Sequence, residues 1–272
     1  METPYLAIVT GGAQGIGYAI TSALLEAGGK VEVHFLDMNV EEGIKAQKKL
    51  DEKFGVGKSK FVLCDVSQRD QLEEVFNEAK SELRGLNVVC NNAGITCPVF
   101  DRSRWPKVLA VNLSATIHGT LLGLDIMGTS QGGNGGVIIN TSAISGNVSH
   151  GLRPVPVAPV YSATKHGIIG FTRSLAPVYD IAVSDKVRIN CICPDGTDTT
   201  LVKDSVAELL PVYSMDQIQS LLAKHVYKMD INAYTRPSVI GEEVIKLIED
   251  EEKNGEALVI SKVLGTYFHS FN

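Results

Sequence analysis

The chain has 272 residues, 44% of them hydrophobic, and a formal net charge of −6. That length and apolar content suit one large α/β domain with a sizeable core. Charges of both signs are scattered, with no basic stripe or Lys/Arg run, which argues against a nucleic-acid or anionic-membrane binder.

Short apolar runs alternate with longer amphipathic ones. Tyr5–Val9 reads as a strand and ends in the Gly-rich stretch TGGAQGIG, residues 10–17. A helix follows over YAITSALLEA, with Gly28 and Gly29 as its stop signals. KVEVHFLD (30–37) is predicted as the second strand, Val40–Phe54 as a charged helix and KFVLCD (60–65) as the third strand. Residues 67–83 open on a serine cap and keep an apolar spacing of three to four, which predicts a helix. Strands at 87–94, 135–142, 187–193 and 257–260 alternate with helices at 108–127, 161–176 and 241–250. This alternation predicts βαβ units and a parallel sheet covered on both faces. The fold class expected is α/β: a Rossmann-type doubly wound parallel sheet with helices on both faces. It forms a single domain over 1–272, with a dinucleotide-binding half ending near residue 150 and a catalytic half after it. The stretch 200–240 is helical in composition and interrupts the alternation. It is expected to carry a substrate lid at 201–213, whose leucines and valines suit an apolar pocket.

The five cysteines, Cys64, Cys90, Cys97, Cys191 and Cys193, are odd in number and lack CxxC or His–Cys ligand spacing. They read as small buried hydrophobes in a reducing compartment, with no metal site. The N-terminus has no charged-then-apolar leader, and no apolar run is expected to reach the ~18 residues of a membrane helix. A cytoplasmic protein with a small-molecule substrate, and without a nucleic-acid or membrane partner, is the expectation.

Two motifs carry chemistry. Thr10, Gly11, Gly15 and Gly17 lie at a strand-to-helix turn, where glycine lets backbone approach a pyrophosphate and the helix N-terminus offers free N–H groups. Asp37 ends the second strand twenty residues after Gly17; a carboxylate there binds ribose hydroxyls and repels a 2′-phosphate, favouring NAD over NADP. Asp65, followed by Val66, and Asn91–Gly94 end the third and fourth strands. One ligand lying along several strand ends accounts for them together. The second motif, YSATK, sets Tyr161 and Lys165 four residues apart on one helix face, where the cation is expected to lower the phenol pKa toward a useful range.

These stretches, with CDV (64–66), VNL (111–113) and RINCICP, resemble the short-chain dehydrogenase/reductase family over nearly the whole chain. GGVIIN, YSATKHGIIGFTRS and LIEDEEKNG carry a likeness to its NAD-dependent 15-hydroxyprostaglandin dehydrogenase and insect-type alcohol dehydrogenase subgroup. The resemblance implies Tyr161 as acid/base, Lys165 as its partner and cofactor holder, Asn112 in a proton relay, and a substrate-polarising serine. It implies a cofactor bed of Gly11, Gln14, Gly15, Ile16, Gly17, Asp37, Asp65, Val66, Asn92, Ala93 and Gly94. From the second half it adds Tyr161, Lys165, Pro194, Thr197 and Thr199. A homodimer or homotetramer through the helices 108–127 and 161–176 is also implied.

The chain departs from the family pattern at three places. Anchored on Asn140 and Gly146, the catalytic serine aligns with Ala143, and Ser142 matches the preceding structural serine. Ser142 and Ser145 are nonetheless the nearest substitutes, with Ser149 and His150 in a longer following loop as further donors. Asp195 stands where the family has glycine, with Gly196 one residue on. Two functions remain open: an NAD-dependent oxidoreductase on an apolar secondary alcohol, and a weak or inactive homologue kept as a binding or storage protein. Ala143 and Asp195 motivate the second; Tyr161, Lys165 and Asn112 argue for the first.

Overall fold

The computed structural model describes residues 5–29, 31–82, 85–98, 101–144, 158–179, 185–223 and 234–270. Strands β1 (Tyr5–Thr10), β2 (Val31–Asp37), β3 (Ser59–Leu63), β4 (Leu86–Asn91), β5 (Gly136–Thr141), β6 (Val187–Pro194), β7 (Ala257–Ser261) and β8 (Gly265–Phe268) form one sheet in the order β3-β2-β1-β4-β5-β6-β7-β8. Neighbours pair in parallel from β3 to β7, and only β8 is antiparallel. The expected doubly wound fold is therefore present, with β8 added at one edge. That strand is short, exposed and of mixed composition, so no apolar periodicity marks it.

The helices are α1 (Gly15–Glu26), α2 (Val40–Phe54), α3 (Arg69–Glu82), α4 (Trp105–Leu109), α5 (Ala115–Met127), α6 (Pro159–Pro177), α7 (Thr200–Leu209), α8 (Met215–Ala223) and α9 (Pro237–Glu249). Two apolar layers cover the two sheet faces: one is built on Ile20, Leu24 and Val244 of α1 and α9, the other on Leu72, Phe76 and Leu124 of α3 and α5. The helix expected at 108–127 starts earlier, at Trp105, and passes through a π turn over Ala110–Ser114 before α5. Counted from Trp105, this run is long and apolar enough to cross a membrane, contrary to the sequence expectation. Its apolarity is explained by packing: Val111, Ala115, Leu124 and Met127 sit in the core beneath the sheet.

A buried polar network fixes that run against the sheet. The Asn91 amide donates to Asn140 Oδ1 at 2.9 Å and to Thr120 Oγ1 at 3.1 Å, and the Asn140 amide donates to Thr172 Oγ1 at 3.1 Å. Each group finds a partner inside the core, so β4, β5, α5 and α6 are held in one register. The chain order reverses between β1 and β4, where a crevice opens at the carboxyl ends of the strands.

Candidate active site

A cleft of about 710 Å³ occupies that crevice. Gly11 and Gly15 take positive φ of +64° and +57°, which allows β1 to turn directly into α1. Gln14, the residue capping α1, makes no side-chain cap hydrogen bond, so the cleft meets the bare N-terminal amides of the helix. Gly17 does not reach the wall. A side chain there would collide with the Gly11 carbonyl oxygen, so its role is to let α1 pack against the turn.

Asp37 lines the cleft at the end of β2. Its carboxylate accepts the Ala13 and Asn39 amides at 3.2 and 3.0 Å, which fixes its direction. Asp65 and Val66 line the same end. Asp65 accepts from Lys107 Nζ at 2.7 Å and from the Ser67 hydroxyl at 2.7 Å. Burial opposes ionisation of Asp65, but these bonds outweigh it and hold its pKa below the ordinary carboxylate value. Sequence reasoning missed Lys107, because its partner lies forty-two residues away with no local spacing to signal it.

Asn92, Ala93 and Gly94 form the middle of the floor. The Thr10 hydroxyl accepts the amides of Asn92 and Ala93 at 2.9 and 3.0 Å, fastening the β4 exit to the β1 exit. Pro194, Thr197 and Thr199 come from the β6 exit. A Cβ on Gly15 would lie 3.3 Å from the Thr199 methyl, so Thr199 closes over the glycine turn.

Tyr161 and Lys165 both face the cleft from one side of α6. Lys165 Nζ lies 5.4 Å from the Tyr161 ring centre and donates to the Thr141 carbonyl at 2.8 Å. The expected lowering of the phenol pKa is absent: burial pushes Tyr161 up to about 12. Burial also pushes Lys165 down to about 8, against a smaller opposing effect of Cys193. Both charged forms lose water, and that loss exceeds any mutual benefit in the protein alone.

Asn112 is fully buried behind the wall, within the π turn. It pairs with the Ile95 backbone in both directions, at 2.8 and 2.9 Å, and donates to Thr164 Oγ1 at 3.2 Å. It therefore links the β4 exit loop to the helix that carries Lys165.

Ala143 lines the cleft beside Ser142. The Ser142 hydroxyl donates to the Lys165 carbonyl at 2.7 Å and is 2% exposed. A hydroxyl has one proton to donate, so Ser142 holds α6 in place and is not free to polarise a substrate. This corrects its assignment as the polarising residue. Ser145, Ser149 and His150 lie outside the described residues. Asp195 stands at the rim with its charge taken up: it accepts from the Gly196 amide and from Ser261 Oγ, each at 2.7 Å.

Comparison with known proteins agrees with this geometry. A short chain dehydrogenase family profile matches residues 5–209. The 15-hydroxyprostaglandin dehydrogenase [NAD(+)] of Bos taurus is 38% identical over 267 residues, covering 98% of this chain and 94% of that protein. Its Homo sapiens counterpart is 37% identical over 270 residues, covering 98% and 94%. A 3beta-hydroxysteroid dehydrogenase 2 of Eggerthella lenta is 34% identical over 200 residues, 72% of each chain. Among solved structures, an actinorhodin polyketide ketoreductase with NADPH superimposes with a TM-score of 0.78 at 25% identity, covering 98% of this chain and 100% of that one.

Proposed function

Because the chain belongs to the short-chain dehydrogenase/reductase family of oxidoreductases, we propose that it is an NAD-dependent dehydrogenase interconverting an apolar secondary alcohol and its ketone. One observation carries the proposal: Tyr161 and Lys165 open onto the same cleft as the Gly11–Gly15 turn and the Asp37 carboxylate.

The residues present fit a dinucleotide. The bare α1 amides at Gly15 and Ile16 suit a pyrophosphate, and Asp37 suits the ribose hydroxyls of NAD while opposing a 2′-phosphate. The 15-hydroxyprostaglandin dehydrogenases are named as NAD(+) enzymes, whereas the ketoreductase was solved with NADPH. Bound NAD supplies the hydride acceptor. Tyr161 Oη takes the alcohol proton in oxidation and returns it in reduction, and the Lys165 ammonium stabilises the phenolate. Asn112 keeps the Ile95 loop and α6 at a fixed separation, which sets the floor on which Lys165 lies.

Leu201, Val202, Leu209 and Val263 supply apolar wall to the same cleft as Tyr161 and Lys165. That wall suits a prostanoid, steroid, terpenoid or other lipid alcohol, in line with the names of the prostaglandin and hydroxysteroid relatives. Exposed Leu121 on α5 and Val178 after α6 support a homodimer or homotetramer through these helices. The five cysteines are free and buried, which supports a reducing, cytoplasmic setting.

The deciding experiment incubates the protein with NAD and a panel of apolar secondary alcohols and follows NADH absorbance. Turnover is expected. NAD binding without turnover on any alcohol would overturn the proposal in favour of the non-catalytic homologue that Ala143 motivates.

A further inference from the structure

Helix α7 forms one wall of the cleft and is tied down at both ends. At its first residue, the Thr200 hydroxyl donates to Gln14 Oε1 at 3.0 Å, fastening it to the glycine turn. Near its last residue, Glu208 meets Arg104, which lies 104 residues earlier, just before α4. The contact is bidentate: Nη1 donates to Oε1 at 3.0 Å and Nη2 to Oε2 at 2.6 Å. A planar guanidinium holding both oxygens of one carboxylate fixes direction as well as distance.

Arg104 has a second acidic neighbour on its own turn. Its Nε lies 2.7 Å from Asp101 Oδ2. The other Asp101 oxygen accepts the Ser103 amide and hydroxyl, at 3.1 and 2.7 Å, and the Arg104 amide at 3.3 Å. A folded turn thus sets a second carboxylate beside the guanidinium, as an ion pair in which Nε makes no hydrogen bond. Glu208 faces the cleft, so the bond closes the gap between the α7 wall and the α4 side.

We propose that the Arg104–Glu208 pair is a latch that holds α7 across the substrate end of the cleft, and that Arg104 is a positioning residue for this wall. The proposal rests on the cleft being the substrate site, but its test does not require turnover. The pair is partly exposed, at 42% and 37% of its side-chain surfaces, so it contributes modestly and can open and close. A strong buried pair would lock the wall; a weak exposed one permits passage of substrate and product.

The test is hydrogen exchange over residues 200–209 in the full chain without cofactor, for wild type, Arg104→Gln, Glu208→Gln and the double variant. Each single change is expected to speed exchange there roughly three- to fivefold, with no further gain in the double variant and with β5 unaltered. Unchanged exchange in the single variants, or additive effects, would overturn the latch. If Arg104→Gln does not fold, Arg104→Lys keeps the charge but loses the fork, and should give a smaller increase than Glu208→Gln; no increase would overturn the proposal equally. Where turnover is measurable, the single variants should raise KM and leave the pH profile in place. A change confined to the pH profile would assign Arg104 to the chemistry and overturn the positioning role.

Discussion

The Lys165 ammonium lies over the Tyr161 ring, 5.4 Å from its centre, and donates to the Thr141 carbonyl at 2.8 Å. The two side chains share a helix face and a cleft wall, yet no hydrogen bond joins them directly. Lys165 can therefore act on Tyr161 through its field while its proton stays with the backbone. This arrangement separates the roles of the pair and makes them distinguishable by substitution.

Tyr161→Phe should lower kcat by at least about 10²-fold while leaving NAD affinity nearly unchanged, because the ring is kept and only the exchangeable proton is lost. Lys165→Ala should lower both kcat and NAD affinity. Steady-state kinetics beside calorimetric titration of NAD checks both. A Tyr161→Phe variant with near-normal kcat would remove this residue from the proton step.

Lys165 should also cost stability. Its pKa falls from an ordinary 10.5 to about 8 on folding, and its side chain is almost wholly buried. Between these values the unfolded chain binds more protons than the folded one, so stability from this group rises with pH across that window. Below about pH 8 the full penalty applies, roughly 3 kcal/mol by the shift alone and less after the bond to Thr141 is counted. Cys90 works the other way: burial pushes its thiol up to about 12, so its contribution falls as pH rises above 9. The difference between Lys165→Met and wild type removes that background. Lys165→Met should be the more stable protein at pH 7, and its advantage should shrink as pH rises from 8 toward 10.5. Denaturant titrations at several pH values check this; a constant difference would show that the Lys165 pKa does not shift on folding.

The parallel sheet and the glycine turn were legible because both depend on local patterns: strand apolarity, helix spacing, and glycines at a strand-to-helix junction. The charged helix read at about Val40 to Phe54 is α2, bracketed in the structure by an Asn39 cap and Gly55. The π turn was not legible, because Ala110–Ser114 has the composition of ordinary helix. The same holds for β8. At the site, Tyr161, Lys165 and Asp37 were found by spacing, but Lys107 against Asp65 and Arg104 against Glu208 were not. Those pairs are made by tertiary approach alone. The opposite failure is the phenol pKa: spacing brought the cation near, but burial was invisible in the sequence and reversed the direction of the shift.

Asp37 should decide the cofactor. The carboxylate is held by the Ala13 and Asn39 amides and cannot swing away from a 2′-phosphate without losing both. NAD should bind at least about tenfold more tightly than NADP, a preference that Asp37→Ser should erase mostly by raising NADP affinity. Fluorescence titration of both cofactors with both proteins measures this. Equal affinities in the wild type would remove Asp37 from ribose recognition.

Ala143 poses the sharpest question at the site. It lines the cleft with a methyl group at the position where the resemblance implies a hydroxyl, and its neighbour Ser142 donates its hydrogen bond to the Lys165 carbonyl. A donor to a developing oxyanion is worth on the order of 10²–10³ in rate. If the site lacks such a donor, Ala143→Ser should raise kcat/KM on a good substrate by up to that factor. If the 145–157 segment supplies one, Ala143→Ser should do little, and one of Ser145→Ala, Ser149→Ala or His150→Ala should collapse activity. Ser142→Ala serves as the structural control: it removes a tether of α6, so it should lower thermal stability, and any loss of rate should track a displaced Lys165. Steady-state kinetics of these five variants with one alcohol, beside their melting temperatures, separates the branches. Five variants all matching wild type in rate would leave Tyr161 and Lys165 as the whole of the catalytic hydrogen-bonding machinery.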